Sequence, residues 1–150
     1  MKVIVDADAC PVKEIVKALC IKYNIDLLFI HSISHISEAD ENVERIIVDS
    51  EAQAADMAII NNSQKGDLVI TADTGLAAII LGKGCYALNP WGQIYTNENI
   101  DNLLENRYLT QKLLASGGRV KGPKKRKNID NQYFTGALEK FLQKIIQIDG

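Results

Sequence analysis

One stretch near the N-terminus, residues 3–12 with the sequence VIVDADACPV, constrains the fold more than any other. Its β-branched apolar run is typical of a buried strand, and the run stops at two carboxylates, Asp6 and Asp8. Pro11 then suits the first turn of a helix, where its missing N–H costs nothing. Ligands of open α/β sheets bind just beyond the carboxyl ends of strands, so we expect Asp6 and Asp8 to face a ligand or a metal.

Strand-like and helix-like patterns alternate along the rest of the chain. Further strands are predicted at residues 26–31, 45–48, 68–71 and 85–88, and helices follow most of them. This alternation indicates a three-layer α/β/α fold with a mainly parallel sheet of roughly five strands. At 150 residues the chain is predicted to form a single domain, 1–150, that ends in a helix over residues 130–147.

Composition narrows the expected environment. No apolar run approaches the roughly 18 residues of a membrane-spanning helix, and the N-terminus lacks the layout of a secretory signal. We therefore expect a cytoplasmic protein with no membrane partner. The three cysteines, Cys10, Cys20 and Cys85, contain no C-x-x-C pair, which favours reduced thiols over a disulfide framework or a zinc site.

Positive charge is concentrated in residues 119–127. The chain has a net charge of −2, but this segment carries six basic residues and no acidic ones: Arg119, Lys121, Lys124, Lys125, Arg126 and Lys127. We predict that residues 117–128 form a basic loop or arm that binds RNA or single-stranded nucleic acid through its phosphates, although a solvated loop is the plainer interpretation. Tyr133 and Phe134, just beyond it, are candidates for stacking on bases, although core packing explains Phe134 better.

Two further carboxylates complete a predicted acidic site. Asp73 follows the predicted strand at 68–71, and Asp56 lies on the apolar face of the preceding helix. If the first and fourth strands are neighbours, these side chains meet Asp6 and Asp8 in one crevice. Clustered carboxylates repel one another unless a hard cation binds them, and oxygen ligands favour Mg²⁺ or Mn²⁺. In the plainer interpretation, Asp73 caps a helix, Asp8 belongs to a turn and Asp56 pairs with a lysine.

Several motifs give the chain a specific resemblance. They are VDADACPV at 5–12, AAD at 54–56, GDLVITAD at 66–73, the YTNENI run at 95–100 and SGG at 116–118. Over nearly its whole length the sequence resembles the YaiI/YqxD family, small bacterial proteins assigned by similarity to the PIN-like nuclease superfamily. The resemblance implies a PIN-like sheet with an acidic metal pocket. It makes Asp6 the first-strand acid, Asp56 the helical acid and Asp73 the acid after the fourth strand, with Asp8 as an additional carboxylate.

The leading hypothesis is a hydrolase that cleaves phosphodiester bonds of nucleic acid with one or two Mg²⁺ or Mn²⁺ ions. Asp6, Asp8, Asp56 and Asp73 are its expected catalytic and metal-binding residues. Thr71 is a candidate for orienting a ligand or the attacking water, and Lys13 for contacting a phosphate. In the plainer interpretations, Thr71 is an ordinary strand residue and Lys13 is a solvated surface lysine.

Two other functions fit parts of the pattern. Aspartyl-phosphate phosphatases also place Asp-x-Asp after the first strand, with Asp6 then the nucleophile and Asp8 the general acid and base. However, Pro11 begins a helix at once, and the sequence around Asp73 lacks a second acid for magnesium. The other alternative is a non-catalytic module that binds RNA or protein.

Overall fold

The computed structural model describes residues 1–8, 10–33, 42–51, 53–119 and 125–149. Within these ranges the strands are β1 (Lys2–Asp6), β2 (Asp26–Ser32), β3 (Glu44–Val48), β4 (Leu68–Ile70), β5 (Tyr86–Leu88) and β6 (Ile94–Tyr95). The helices are α1 (Lys13–Lys22), α2 (Ala54–Asn62), α3 (Thr74–Gly82), α4 (Ile100–Ala115) and α5 (Asn128–Asp149). The predicted α/β class is confirmed.

The strands form one sheet in the order β3-β2-β1-β4-β5-β6. Neighbouring strands from β3 to β5 are parallel, whereas β6 runs antiparallel to β5. The sheet has six strands where roughly five are predicted. Strand β6 is not predicted because two residues are too few to show an alternation of apolar and polar side chains. The strand order switches between β1 and β4, where Val5 pairs with Ile70, so the residues that follow these strands lie side by side.

Each face of the sheet has its own apolar core, because successive side chains of a strand point to opposite faces. Val3 and Val5 pack on one side in a cluster with residues of α1 and α5, including Phe134. Ile4 and Val69 pack on the other side with residues of α2, α3 and α4. Helices on both faces of a mostly parallel sheet make up the predicted three-layer arrangement.

Helix α5 begins two residues earlier and ends two residues later than predicted. The side chain of Asp130 accepts a hydrogen bond from the backbone N–H of Lys127 at 2.8 Å, so it caps the helix from inside its first turn. The start of the helix therefore shortens the predicted loop. Residues 120–124 of that loop, including Lys121 and Lys124, lie outside the described residues.

Helix α4 is less buried than its apolar residues suggest. Ile100, Leu103 and Leu104 pack against the core, whereas every residue from 105 to 115 is exposed. Despite its leucines, α4 is not a membrane helix: none of the helices in the described ranges has the length and apolar character needed to cross a bilayer.

Candidate active site

An open cleft of about 530 Å³ lies beyond the carboxyl ends of β1 and β4. Its lining residues are Asp6, Asp8, Cys10, Ala72, Asp73, Thr74, Pro90 and Arg107. The structure thus places three of the four predicted carboxylates in one cleft. Their proximity follows from the strand order, because β1 and β4 are neighbours and end at the same edge of the sheet.

Thr71 connects the two strand ends. It follows β4 and is 1% exposed. Its hydroxyl donates a hydrogen bond to Asp6 Oδ2 at 2.9 Å and accepts one from the backbone N–H of Asp73 at 3.0 Å. Thr71 is not among the residues that line the cleft. Its observed contacts therefore position Asp6 and Asp73.

Asp6 has the most perturbed carboxylate of the site. Burial raises its pKa from 3.8 to about 6, and the hydrogen bond from Thr71 opposes that rise. The negative charges of Asp56, Asp8 and Asp73 are smaller contributions to the same rise. All four predicted carboxylates are thus close enough to interact, and their repulsion makes the ionised form of Asp6 costly.

Asp56 and Asp8 are the other two predicted carboxylates. Asp56 lies in the first turn of α2, outside the cleft lining. Its pKa is raised by burial and by the charge of Asp73, while Arg107 lowers it. Asp8 lines the cleft, and its Oδ1 accepts a hydrogen bond from the backbone N–H of Ser32 at 2.9 Å. That bond ties the loop after β1 to the end of β2.

Asp73 is both a helix cap and a cleft residue. Its Oδ1 accepts hydrogen bonds from the backbone N–H of Leu76 at 3.2 Å and from Arg107 Nη1 at 3.1 Å. The plainer interpretation of Asp73 as a cap of α3 is therefore correct for this oxygen. A Cβ on Gly75 would lie 3.0 Å from Arg107 Nη1, so the glycine leaves room for the guanidinium.

Arg107 is the site residue that sequence reasoning missed. It lies on α4 and lines the cleft with Asp6, Asp8 and Asp73. A signal was present, because Arg107 is four residues after Leu103 and three after Leu104, both of which pack on the core. Arg107 therefore shares a helix face with apolar residues, and the same kind of pattern singles out Asp56.

The donor set decides which cation the cleft suits. Over the described residues, no three histidine, cysteine or acidic side chains are arranged so that they could hold a metal ion. Mg²⁺, however, usually keeps several waters and binds proteins through only one or two carboxylates. The residues present thus fit a hydrated, hard cation better than an ion enclosed by protein ligands.

The predicted phosphate-binding residues are dispersed. Lys13 begins α1 outside the cleft lining, and its charge lowers the pKa of Cys10, which burial raises. Arg119 follows α4, and Lys125 and Lys127 precede α5; all three are exposed. None of these four residues lines the cleft. Arg126 differs from them, since it is half-buried against Trp91.

Comparison with known proteins gives the family. A family profile described as "Uncharacterized BCR, YaiI/YqxD family" matches residues 4–144. A UPF0178 protein of Alkaliphilus metalliredigens is 56% identical over 144 residues, covering 96% of this chain and 93% of the relative. One of Oceanobacillus iheyensis is 47% identical over 146 residues, covering 96% and 100%. No solved structure matches. The chain belongs to the YaiI/YqxD family.

Proposed function

We propose that this protein is a divalent-metal-dependent phosphodiesterase that cleaves RNA or single-stranded nucleic acid. One observation carries the proposal: Asp6 is joined to Asp73 through Thr71 in an open cleft, and the charges of Asp8, Asp56 and Asp73 raise the pKa of Asp6, which burial raises most. A buried charge among like charges is destabilising unless a cation offsets it. The resemblance to PIN-like nucleases supports the same chemistry.

The carboxylates would have distinct roles. Asp6 and Asp73 would hold Mg²⁺ or Mn²⁺ directly, and Asp8 and Asp56 would act through water, because no three of these side chains are arranged to hold one ion among the described residues. Asp73 Oδ1 already accepts two hydrogen bonds, which leaves Oδ2 for a cation. When bound, the cation would lower the pKa of a water molecule and offset the charge of a phosphodiester. Thr71 would keep the Asp6 carboxylate oriented during this chemistry.

Arg107 would bind the phosphodiester itself. A guanidinium has five donors in a planar fork that matches phosphate oxygens, and the structure records one hydrogen bond from Arg107, to Asp73. Arg107 is partly exposed and lines the same cleft as Asp6. A phosphate bound near Asp6 would therefore lie in the cleft that Arg107 lines. Its charge also offsets the repulsion between Asp73 and Asp56 while no cation is bound.

Replacing Arg107 is expected to move catalysis and metal affinity in opposite directions. Arg107→Ala should slow Mn²⁺-dependent cleavage by about 10- to 100-fold and strengthen Mn²⁺ binding, because a positive charge beside Asp73 is lost. Cleavage kinetics and calorimetry measure the two effects. Lys112→Ala, on the exposed end of the same helix, is the matched control and should change neither. Weaker Mn²⁺ binding by Arg107→Ala would contradict the proposed role.

The function is tested by three assays on the purified protein. We expect Mn²⁺-dependent cleavage of a labelled single-stranded oligonucleotide that EDTA suppresses. Turnover of a phosphomonoester with a trapped phosphoaspartate at Asp6 would instead identify a phosphatase. Salt-sensitive oligonucleotide binding without cleavage, at any Mn²⁺ or Mg²⁺ concentration, would identify a binding module and overturn the proposal.

A further inference from the structure

We propose that Trp91, Tyr133 and Arg126 form a base-stacking surface at the edge of the acidic cleft, where they bind an unpaired nucleobase. This inference rests on the proposed function and deepens it, because it gives the cleft a single-stranded nucleic acid as substrate. Trp91 lies in the turn between β5 and β6, Arg126 lies just before α5, and Tyr133 lies in the first part of α5. Their contacts, exposure and charge carry the argument.

The turn that presents Trp91 is held in one conformation and borders the cleft. The Asn89 side-chain oxygen accepts hydrogen bonds from the backbone N–H of Trp91 at 2.9 Å and of Gln93 at 3.0 Å. Pro90, the neighbour of Trp91, lines the cleft. Trp91 itself is 39% exposed. A large aromatic side chain is thus fixed one residue away from the cleft with part of its surface open to solvent.

Tyr133 packs against the same turn from the first part of α5. Gly92 has a φ of +90°, and a Cβ there would lie 2.9 Å from Tyr133 Cδ1. The missing side chain therefore lets the tyrosine ring lie directly on the turn. Tyr133 is nevertheless 68% exposed. Most of its ring surface is available to a ligand, in contrast to that of the buried neighbour Phe134.

Arg126 supplies positive charge beside these rings. Its guanidinium carbon lies 5.0 Å from the centre of the Trp91 ring, and its Nε donates a hydrogen bond to Asn131 Oδ1 at 2.7 Å. Nη1 and Nη2 are buried without a hydrogen-bond partner among the residues described. The charge of Arg126 extends to Cys10, which lines the cleft. Arg126 thus fixes the ring and attracts a polyanion to this edge.

These features favour a single strand over a duplex. The bases of a duplex stack on one another, whereas those of a single strand leave their faces free for aromatic side chains. Three carboxylates and one arginine line the cleft, so without a cation its net charge is negative and a strand gains from attraction outside the cleft. Stacking on Trp91 and Tyr133 next to the positive charge of Arg126 provides it, and tolerates any base sequence.

Trp91 is the only tryptophan of the chain, so intrinsic fluorescence reports directly on the proposed surface. The wild-type protein is titrated in EDTA with oligouridylate, with a blunt duplex of the same length and with inorganic polyphosphate. We expect saturable quenching by oligouridylate and much weaker quenching by the other two. Equal responses to duplex or polyphosphate would overturn the inference, because charge alone would then explain binding.

Variants of exposed tyrosines separate stacking from general effects. Tyr133→Ala should weaken oligouridylate binding about tenfold, measured by anisotropy of a labelled strand, and Tyr133→Phe should retain it. Tyr108→Ala, which removes a similarly exposed tyrosine on α4, is the control and should bind like wild type. Unchanged affinity of Tyr133→Ala would contradict the stacking role.

The two proposals fail in distinguishable ways. The titrations contain no metal, so a protein that binds neither Mn²⁺ nor Mg²⁺ can still show Trp91 quenching and the Tyr133→Ala loss. That result would overturn the nuclease and uphold the stacking surface. If the wild-type protein shows Mn²⁺-dependent cleavage and Tyr133→Ala binds oligouridylate normally, the nuclease would be upheld and the stacking surface overturned.

Discussion

The Asp6→Asn variant is expected to lose Mn²⁺-dependent cleavage by about 10²- to 10³-fold and yet to be more stable than wild type without metal. Asparagine keeps an oxygen that accepts the hydrogen bond of Thr71, but it removes the charge that Asp56, Asp8 and Asp73 repel. A residue retained for structure alone would show the reverse stability change. Cleavage rates and thermal unfolding in EDTA measure the two effects.

The stability difference should depend on pH in a defined way. The pKa of Asp6 is raised by burial to about 6 from 3.8, so the folded protein takes up a proton before the unfolded chain does. The destabilisation is therefore absent below about pH 4, grows between pH 4 and 6, and reaches about 3 kcal/mol at pH 7. Wild type and Asp6→Asn should converge near pH 4. Asp26→Asn, at the exposed start of β2 and outside the cleft lining, is the control for the removal of one negative charge.

A variant that is less stable than wild type at pH 7 would contradict the account, as would a constant difference between pH 4 and 7. For a chain of this length, 3 kcal/mol corresponds to a rise in Tm of roughly 6 to 12 °C, which is well within the reach of calorimetry.

The second large effect concerns the core. Phe134→Ala is expected to lower the free energy of unfolding by about 3 to 5 kcal/mol, because the ring is fully buried where α5 packs on α1 and the sheet. Urea denaturation measures it. The neighbouring Tyr133→Ala, which removes an exposed ring, should cost less than about 1 kcal/mol. Similar losses from the two variants would mean that α5 does not pack as described.

The meeting of Asp6, Asp8 and Asp73 could be predicted, because neighbouring parallel strands end at the same edge of a sheet. Other features depend on how the helices pack on one another. Arg107 reaches Asp73 only because α4 packs on α3 at Gly75. Tyr108, Leu113 and Leu114 fit an apolar helix pattern, but they are exposed.

Some residues have two structural explanations, and the sequence pattern alone does not show whether both apply. Trp91 has the setting of a turn anchor, and Asn89 indeed holds its backbone in a turn. Its exposure and its contact with Arg126, 35 residues later in the chain, come only from the packing of α5. In the same way Asp73 is both a helix cap and a cleft carboxylate, because its Oδ1 accepts hydrogen bonds from a backbone N–H of α3 and from Arg107 of the cleft.

Calorimetric titration of Mn²⁺ decides whether the cleft carboxylates bind a divalent cation. The wild-type protein at pH 7 should bind Mn²⁺ in the millimolar range or better. Asp73→Asn, which retains an oxygen to cap α3, should bind it markedly more weakly. Failure of the wild-type protein to bind Mn²⁺, or undiminished binding by Asp73→Asn, would contradict the account.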